Sequence, residues 1–272
     1  RPGIRAAPGR DHEPAEGIAV KALGRWLPPV LLVVALVAAW QIAASTGFLA
    51  DTLGLESFLV PSPSEIADVM WQDRSLLADN AWVTFYEIVA GFLVALVVGL
   101  AAALALHRSP LLRNAGYPVV VASQTIPVIV LAPILVVWFG YGIGPKLFII
   151  ALICFFPITV NTLDGLRSAD PLSIRMMRTI YAGSWQIFRR VEAPSAAPYV
   201  FSGAKIAIAV AVIGAVFGEW AGSERGLGHL MLQDNAQLLT ARLFASVVIL
   251  SAMAIALFGL ISLLERRLIR WR

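Results

Sequence analysis

Six long apolar runs make up most of the chain, and they limit its fold more than any other feature. A helix that crosses a membrane needs about 20 residues, because it rises about 1.5 Å per residue through roughly 30 Å of hydrocarbon. The composition agrees: 59% of the residues are hydrophobic and 14% are charged, whereas soluble domains are near half apolar and about a quarter charged. The predicted fold is all-α, a polytopic membrane protein with helices at residues 27–45, 82–106, 117–139, 145–163, 199–221 and 242–264.

The basic residues predict the orientation of these helices, because Lys and Arg concentrate in the cytoplasmic loops of membrane proteins. Six crossings with both termini in the cytoplasm place most basic residues inside. The basic residues left outside are Arg74, Lys146, Arg225 and Arg242. We therefore expect a multi-pass protein of the inner or plasma membrane, with a flexible cytoplasmic tail over residues 1–25 and a single transmembrane domain over residues 26–272.

A long basic segment separates the fourth and fifth apolar runs. This arginine-rich segment, residues 164–198, contains five Arg against three acidic residues, so we expect it to be cytoplasmic. A short helix should run from Pro171 to about Tyr181, because Pro suits the first turn of a helix. Ala182 and Gly183 should then end it.

A second short helix is predicted from Trp185 to Glu192, with Ser184 as its cap and Pro194 as its end. Trp185 and Phe188 fall within this one short helix. Because such large aromatic side chains need a groove to fill, we expect the arginine-rich segment to plug into another protein.

Polar and aromatic side chains interrupt several of the apolar runs. Pro127 and Pro133 should kink the third run and Pro157 the fourth, and polar groups beside such kinks can line a path through the membrane. The alternative is that the polar groups only link helices and the aromatic groups only pack or sit at the membrane interface. The candidates for a translocation path are Gln124, Trp138, Phe156, Asn161, Glu219 and Trp220.

Glycines recur at every fourth position near the end of the fifth run, at Gly214, Gly218, Gly222 and Gly226. Small residues at this spacing let two helices approach closely. Both packing within the chain and packing at a subunit interface fit this pattern.

The sequence contains no recognisable nucleotide, metal or catalytic motif. The stretch GYGIGPK, which ends at Lys146, lacks the spacing of a phosphate-binding loop, and His12, His107 and His229 lie in three different segments, unlike a metal site. The basic residues are scattered, which argues against nucleic-acid binding. We therefore predict a non-catalytic protein without a cofactor, in which any ATP would be bound by a partner subunit.

The stretch SIRMMRTIYAGSWQIFRRVEAP resembles the cytoplasmic motif of permease subunits from binding-protein-dependent ABC importers. That motif reads Glu-Ala-Ala, three residues, Gly, nine residues, then Ile-x-Leu-Pro. With Pro194 on its closing proline, Tyr181 falls on the glycine and Arg175, Met176 and Met177 fall on the triplet. The chain thus keeps the spacing and the proline but departs at the triplet and the glycine, and Gly183 is the expected source of flexibility in the turn.

Further stretches resemble the permease branch that serves nitrate, sulfonate, taurine, and pyrimidine or riboflavin uptake. They are PSPSEI, SQTIPVIVLAPILVVWFGYGIGPK, FFPITVNTLDGLRSADP and GEWAGSERGLGHLM. The resemblance implies a type I importer made of two permease subunits, as a homodimer, two cytoplasmic ATPases and an external substrate-binding protein. It also implies a coupling helix around residues 184–190, seated in an ATPase cleft. The implied ATPase-coupling residues are Arg178, Tyr181, Ala182, Gly183, Ser184, Trp185, Phe188, Arg189 and Arg190.

The transported solute is the least constrained of these expectations. The fragment ALICFFPITVNTLDGL is more similar to permeases of the thiamine-pyrimidine and riboflavin type than to the sulfonate type, so a pyrimidine precursor of thiamine or another N-heterocycle is favoured. The alternatives are sulfonate, taurine or nitrate import by the same class, or a stand-alone secondary transporter or channel. Secondary transporters usually show paired repeats and buried ionisable residues, whereas this sequence has no visible repeat and nearly uncharged helix interiors.

Overall fold

A computed structural model describes residues 15–269, without the side chains of residues 15–26, 49, 53 and 57. The described part of the chain is helical and contains no strand, which confirms the predicted fold class. The helices are α1 (Ala15–Ser45), α2 (Phe48–Leu53), α3 (Pro63–Gln72), α4 (Arg74–Arg108), α5 (Pro110–Ala122), α6 (Val128–Phe139), α7 (Ile143–Arg167), α8 (Pro171–Thr179), α9 (Ser184–Ile187), α10 (Ala193–Gly222), α11 (Leu227–Ala236) and α12 (Thr240–Leu268).

Among the described residues, five helices are long and apolar enough to cross a membrane, and a sixth crossing exists if one bent pair counts as a single span. The bent pair is α5, with the short turn that follows it, and α6. The five are Leu27–Ser45 of α1, α4, α7, the continuous helix Ser184–Gly222 and α12. Helix α1 begins at Ala15, inside the predicted tail, and residues 1–14 of that tail lie outside the described residues.

The third apolar run is sharply bent, by 96°, between Thr125 and Val128. Ile126 has an extended backbone, with φ −71° and ψ 118°, as expected for a residue before proline. Pro127 then precedes α6, whereas Pro133 lies inside α6. The kink predicted at Pro127 is therefore confirmed, but it is a full break between two helices, because the clash of Pro127 with its neighbour ends one helix and starts another.

The contacts within the chain divide it into two units, residues 1–65 and residues 66–272. In the first unit, the apolar side chains of α1 are exposed along the span, as expected for a helix that faces lipid. Its end is attached to the chain that follows by Gln41, which donates to Ser64 Oγ (3.0 Å) and accepts from Ser64 N (3.0 Å).

In the second unit, α7 lies at the centre and packs on both α4 and α10. Small residues allow the close approach: a Cβ placed at Gly91 of α4 would lie 2.6 Å from Ile150 of α7. At Gly214 and Gly218 of α10, a Cβ would meet backbone atoms of α7 at 3.3 Å. The first glycines of the predicted row therefore pack within the chain, which is one of the two interpretations that the sequence allowed.

The arginine-rich segment does not end in an isolated helix. Helix α8 begins at Pro171, as predicted, but α9 continues through a π-helical turn, Phe188–Glu192, directly into α10. Pro194 therefore does not end the second helix. The π-helical turn explains this. In it, Ala193 N donates to the carbonyl of Phe188, five residues earlier. Proline has no N–H, and Pro194 stands where the chain changes from this π-helical bonding to α-helical bonding, so it does not end the helix.

Candidate functional site

The turn between α8 and α9 carries the most exposed apolar surface of the arginine-rich segment. Tyr181 is 97% exposed and Trp185 is 61% exposed. Helix α8 adds exposed apolar side chains at Leu172 and Met176, and so does Ile180, the residue that follows the helix. Large exposed apolar side chains in one place indicate an interaction surface.

Tyr181 holds this turn in the left-handed conformation, with φ 56°. Its N–H bonds the carbonyl of Arg178 (3.0 Å), and the next N–H, of Ala182, bonds the carbonyl of Met177 (3.0 Å). Helices often end in this way with glycine at the left-handed position, and Tyr181 is the position that the importer motif gives to glycine. Gly183 has φ −69° and ψ 159°, ordinary extended backbone, so the left-handed residue of the turn is Tyr181 and not Gly183, whose expected flexibility stays a prediction.

The caps of the two short helices differ from each other. The carboxylate of Asp170 accepts bonds from Leu172 N (3.0 Å), Ser173 N (3.0 Å) and Ser173 Oγ (2.7 Å). The Ser173 hydroxyl, followed by these two amides, lowers the pKa of Asp170, because all three donors stabilise the charged form. Helix α9 is capped at Gly183, whose N–H bonds Gln186 Oε1 (3.1 Å), and not by the Ser184 side chain.

Phe188 lies against the end of α4 and is only partly exposed. Its ring stacks on Trp185 with centroids 5.4 Å apart, and the guanidinium carbon of Arg108 lies 5.8 Å from its centroid. His107 Nε2 lies 3.2 Å from Glu192 Oε2. Of the two predicted aromatic anchors, Trp185 is therefore the more accessible, and Phe188 contacts α4 within the chain.

A cleft of about 620 Å³ opens where the end of α4 meets the arginine-rich segment. His107 and Arg108 were not among the predicted site residues. Their position at the end of the second apolar run, next to the cytoplasmic loops, was the feature of the sequence that pointed to them. Arg178, Arg189 and Arg190 are exposed on the segment. The cleft is lined by His107, Arg108, Arg178, Ala182, Ser184, Trp185, Ile187, Phe188 and Glu192.

The six path candidates differ in burial. Gln124, Trp138 and Trp220 are exposed, while Phe156 and Asn161 are partly buried. The side-chain amide of Asn161 donates to the carbonyl of Pro157 in the same helix (2.7 Å). Trp220 contacts Phe217 edge-to-face, with centroids 5.7 Å apart. Their assignment to a translocation path stays a prediction.

Glu219, the sixth candidate, is fully buried in a polar cluster formed by Thr84, Glu87, Lys146, Glu219 and Ser223. Thr84 Oγ1 donates to Glu219 Oε1 (2.6 Å), and Lys146 Nζ donates to Glu87 Oε1 (2.5 Å) and to Ser223 Oγ (2.8 Å). Lys146 is thus buried at the start of α7 and is not a solvated loop residue. The expectation of nearly uncharged helix interiors is also wrong here. The sequence already indicated a buried charge, because Glu87 lies inside the second apolar run.

The polar cluster caps the first turn of α11. The N–H groups of Gly228 and His229 donate to Glu219 Oε2 (2.5 and 3.3 Å), and Leu227 N donates to Thr84 Oγ1 (2.8 Å). These are donors that a helix leaves without partners at its start. Glu219 therefore acts as an N-terminal cap supplied by another helix.

The other end of α11 is also attached by charge. Asp234, fully buried, accepts from Arg242 Nε (2.8 Å) and Nη2 (2.6 Å) of α12. Arg242 Nη1 also lies 3.4 Å from Asp73 Oδ2. Both ends of this short helix are thus fixed to the bundle.

The model of one protein family, binding-protein-dependent transport system inner membrane component, matches residues 88–270. Two solved structures share the fold: an inward-facing form of the MetNI methionine ABC transporter (TM-score 0.61, 22% identity, 75% of this chain and 97% of that one) and an amino acid ABC transporter with histidines (TM-score 0.58, 18% identity, 73% and 96%). At this level of identity they establish the fold alone.

Curated relatives are more similar in sequence. A probable ABC transporter permease protein of Haemophilus influenzae is 36% identical over 90% of this chain and 98% of its own length. The formylaminopyrimidine transport permease protein ThiX of Halalkalibacterium halodurans is 38% identical over 90% and 96%, and the riboflavin transport system permease protein RibX of Chloroflexus aurantiacus is 36% identical over 89% of each chain. The chain therefore belongs to the binding-protein-dependent inner membrane components, the multi-pass permease subunits of ABC importers.

Proposed function

We propose that this permease forms the path for a small N-heterocyclic solute, such as a formylaminopyrimidine, that an external binding protein delivers. The supporting observation is the order of similarity among relatives. ThiX and RibX are 38% and 36% identical to this chain, whereas sulfonate and taurine permeases are 26–27% identical. Sulfonate, taurine or nitrate is the alternative cargo.

Uptake by cells that express the permease with its binding protein and ATPase tests this choice. Labelled formylaminopyrimidine should accumulate, and unlabelled taurine in excess should not compete. Accumulation of taurine without accumulation of the pyrimidine would contradict the proposal.

The proposed motor is a separate ATPase subunit that docks on the arginine-rich segment. Trp185, Tyr181 and the exposed face of α8 supply apolar anchors, and Arg178, Arg189 and Arg190 supply a charged rim. Buried aromatic anchors within a polar rim are typical of the strongest contacts in protein interfaces. The permease itself would bind no nucleotide and no cofactor.

The proposed assembly contains two copies of the permease, two ATPases and one external binding protein, with both permease termini in the cytoplasm. Cytoplasmic termini require an even number of crossings, so the bent pair of α5 and α6 would count as one span. The arginine-rich segment then lies on the same side as both termini, in agreement with its positive charge.

Reconstitution tests the division of labour. Vesicles that contain the permease with its ATPase and binding protein should take up solute only when ATP is hydrolysed. Vesicles that contain the permease alone should not. Full uptake by the permease alone, without nucleotide, would support the alternative of a stand-alone transporter.

A further inference from the structure

Helix α5 lies across the ends of α4 and α7 instead of running directly away from them. It begins at Pro110, just after the end of α4. Further along the helix, a Cβ placed at Gly116 would lie 2.8 Å from Leu106, near the end of α4. Val120 still belongs to one buried cluster with Leu106 and with Leu163, near the end of α7. Because ten helical residues rise about 15 Å, most of that rise runs along the membrane surface.

One face of α5 is apolar and open. Leu111, Leu112 and Val119 fall on one stripe at helical spacing, and they are 78%, 51% and 68% exposed. A helix at the membrane surface buries such a face at the boundary between the lipid headgroups and the acyl chains. We therefore expect lipid against this side of α5.

A cleft of about 320 Å³ opens where α5 meets the end of α7. Arg113 of α5 and Arg167 of α7 both line it. Neither guanidinium forms an ion pair with an acidic side chain in the described part of the chain. Two positive charges thus share one cleft that has no carboxylate in its lining. The lining residues are Arg113, Asn114, Tyr117, Pro118 and Arg167.

The chemistry of this lining suits a phosphate group. A guanidinium can bond two oxygens of one phosphate at once, and a phosphate between Arg113 and Arg167 would remove the repulsion between them. The amide of Asn114 and the hydroxyl of Tyr117 are further donors. A free anion would use this cleft alone, whereas a phospholipid would use both the cleft and the apolar face of α5.

We propose that the cleft binds the headgroup of an anionic phospholipid, whose acyl chains lie against the apolar face of α5. The cleft is on the side that the basic residues predict to be cytoplasmic, and basic pockets beside membrane helices on that side suit anionic headgroups. This lipid would bind independently of the solute proposed above.

The test titrates lipid onto the purified, delipidated permease and follows binding by native mass spectrometry. The native protein should bind phosphatidylglycerol, which is anionic, more tightly than phosphatidylcholine, which has no net charge. Arg113→Gln and Arg167→Gln should each raise the dissociation constant of phosphatidylglycerol about fivefold, and together about 30-fold. Equal affinity of the native protein for the two lipids would overturn the proposal.

The matched control removes two arginines from outside the cleft. Arg175→Gln combined with Arg266→Gln changes the net charge by the same amount, and both residues are exposed on the predicted cytoplasmic side. This control should keep the native affinity for phosphatidylglycerol. An equal loss of affinity in the two double variants would show a general attraction of charge and would overturn the site.

Two further measurements separate the lipid from other occupants. Inorganic phosphate in millimolar excess should not displace phosphatidylglycerol, because it has no chains to cover α5, and displacement would assign the cleft to a free anion. The variant with Arg113→Gln and Arg167→Gln should still co-purify with the ATPase. Loss of the ATPase with native lipid affinity would assign the cleft to the motor and overturn the proposal.

Discussion

His107 Nε2 at the end of α4 lies 3.2 Å from Glu192 Oε2 in the π-helical turn that leads into α10. This contact and the neighbouring Arg108–Phe188 contact join the arginine-rich segment to a second transmembrane helix. If the segment moves, these contacts offer a route by which the movement would reach α4 as well as α10. Contact networks of this kind can couple distant sites only where they bias a two-state element.

The first prediction concerns this contact. His107→Ala should lower solute uptake about twofold to fivefold while ATP hydrolysis by the assembled complex continues, because a partly exposed polar side-chain contact contributes up to about 1 kcal/mol. The measurement is the ratio of ATP hydrolysed to solute transported. Arg113→Ala, also a basic residue after α4, is the control and should leave the ratio unchanged. An unchanged ratio in His107→Ala would contradict the transmission role.

The exposed aromatic residue at the turn should anchor the ATPase. Trp185→Ala should weaken co-purification with the ATPase by about 30-fold or more, because an interface hot spot contributes about 2 kcal/mol or more. Combined with Phe188→Ala, it should abolish association without unfolding the permease. Trp82→Ala removes an equally exposed tryptophan from α4, 68% against 61%, and should have no effect. Equal loss in both tryptophan variants would argue against a specific anchor.

Tyr181 should be conformationally strained, because left-handed backbone costs a residue other than glycine about 1 kcal/mol. Tyr181→Gly should therefore tighten the turn and slow hydrogen exchange of the Ala182 amide, which bonds Met177. Tyr181→Val should speed that exchange, because a β-branched residue tolerates positive φ poorly. Faster exchange in the glycine variant than in the native protein would show that the tyrosine side chain, and not the backbone, stabilises the turn.

The close approach of α4 and α7 should depend on Gly91. A Cβ there would lie 2.6 Å from Ile150, so Gly91→Ala should lower the free energy of unfolding by about 1–2 kcal/mol, the clash outweighing the gain in helix propensity. Gly259→Ala in α12 meets no atom within 4 Å and should stabilise the helix by up to about 1 kcal/mol. Thermal unfolding of both variants in detergent measures the difference. A stabilised Gly91→Ala protein would show that the two helices can separate freely.

The cap of α8 should depend on pH with a definite sign. Because the Ser173 hydroxyl and two backbone amides lower the pKa of Asp170, the cap is fully present above the usual titration range of Asp and is lost as the pH falls through the lowered value. Hydrogen exchange of the Leu172 and Ser173 amides across acidic pH measures this. Asp170→Asn accepts bonds at every pH, so its exchange should lack the transition. The same transition in the Asn variant would assign it to another group.

Much of the fold follows from local patterns in the sequence. Apolar runs predict the spans because a helix must be long enough to cross the membrane, and Pro171 predicts the start of α8 because proline suits a first turn. The bend before Pro127 was predicted only as a kink, since a proline pattern does not specify whether neighbouring helices will support 96° of rotation.

The candidate site was less predictable, because its contacts join distant parts of the chain. Glu87 and Lys146 are 59 positions apart, and Thr84 and Glu219 are 135 positions apart. No local pattern distinguishes a buried lysine from a loop lysine at the end of an apolar run. Only the packing of α4, α7 and α10 brings these groups together.

The unbroken helix Ser184–Gly222 contains 39 residues and measures about 55–60 Å at the usual rise per residue. It carries Trp185 at one end and Glu219 at the other, so the surface proposed for the motor and the cap of α11 belong to one lever. A rotation of such a lever by about 10° displaces one tip by about 10 Å relative to the other. A displacement of Trp185 would thus move Glu219, and with it the start of α11, through the helix itself and without a chain of intermediate side chains.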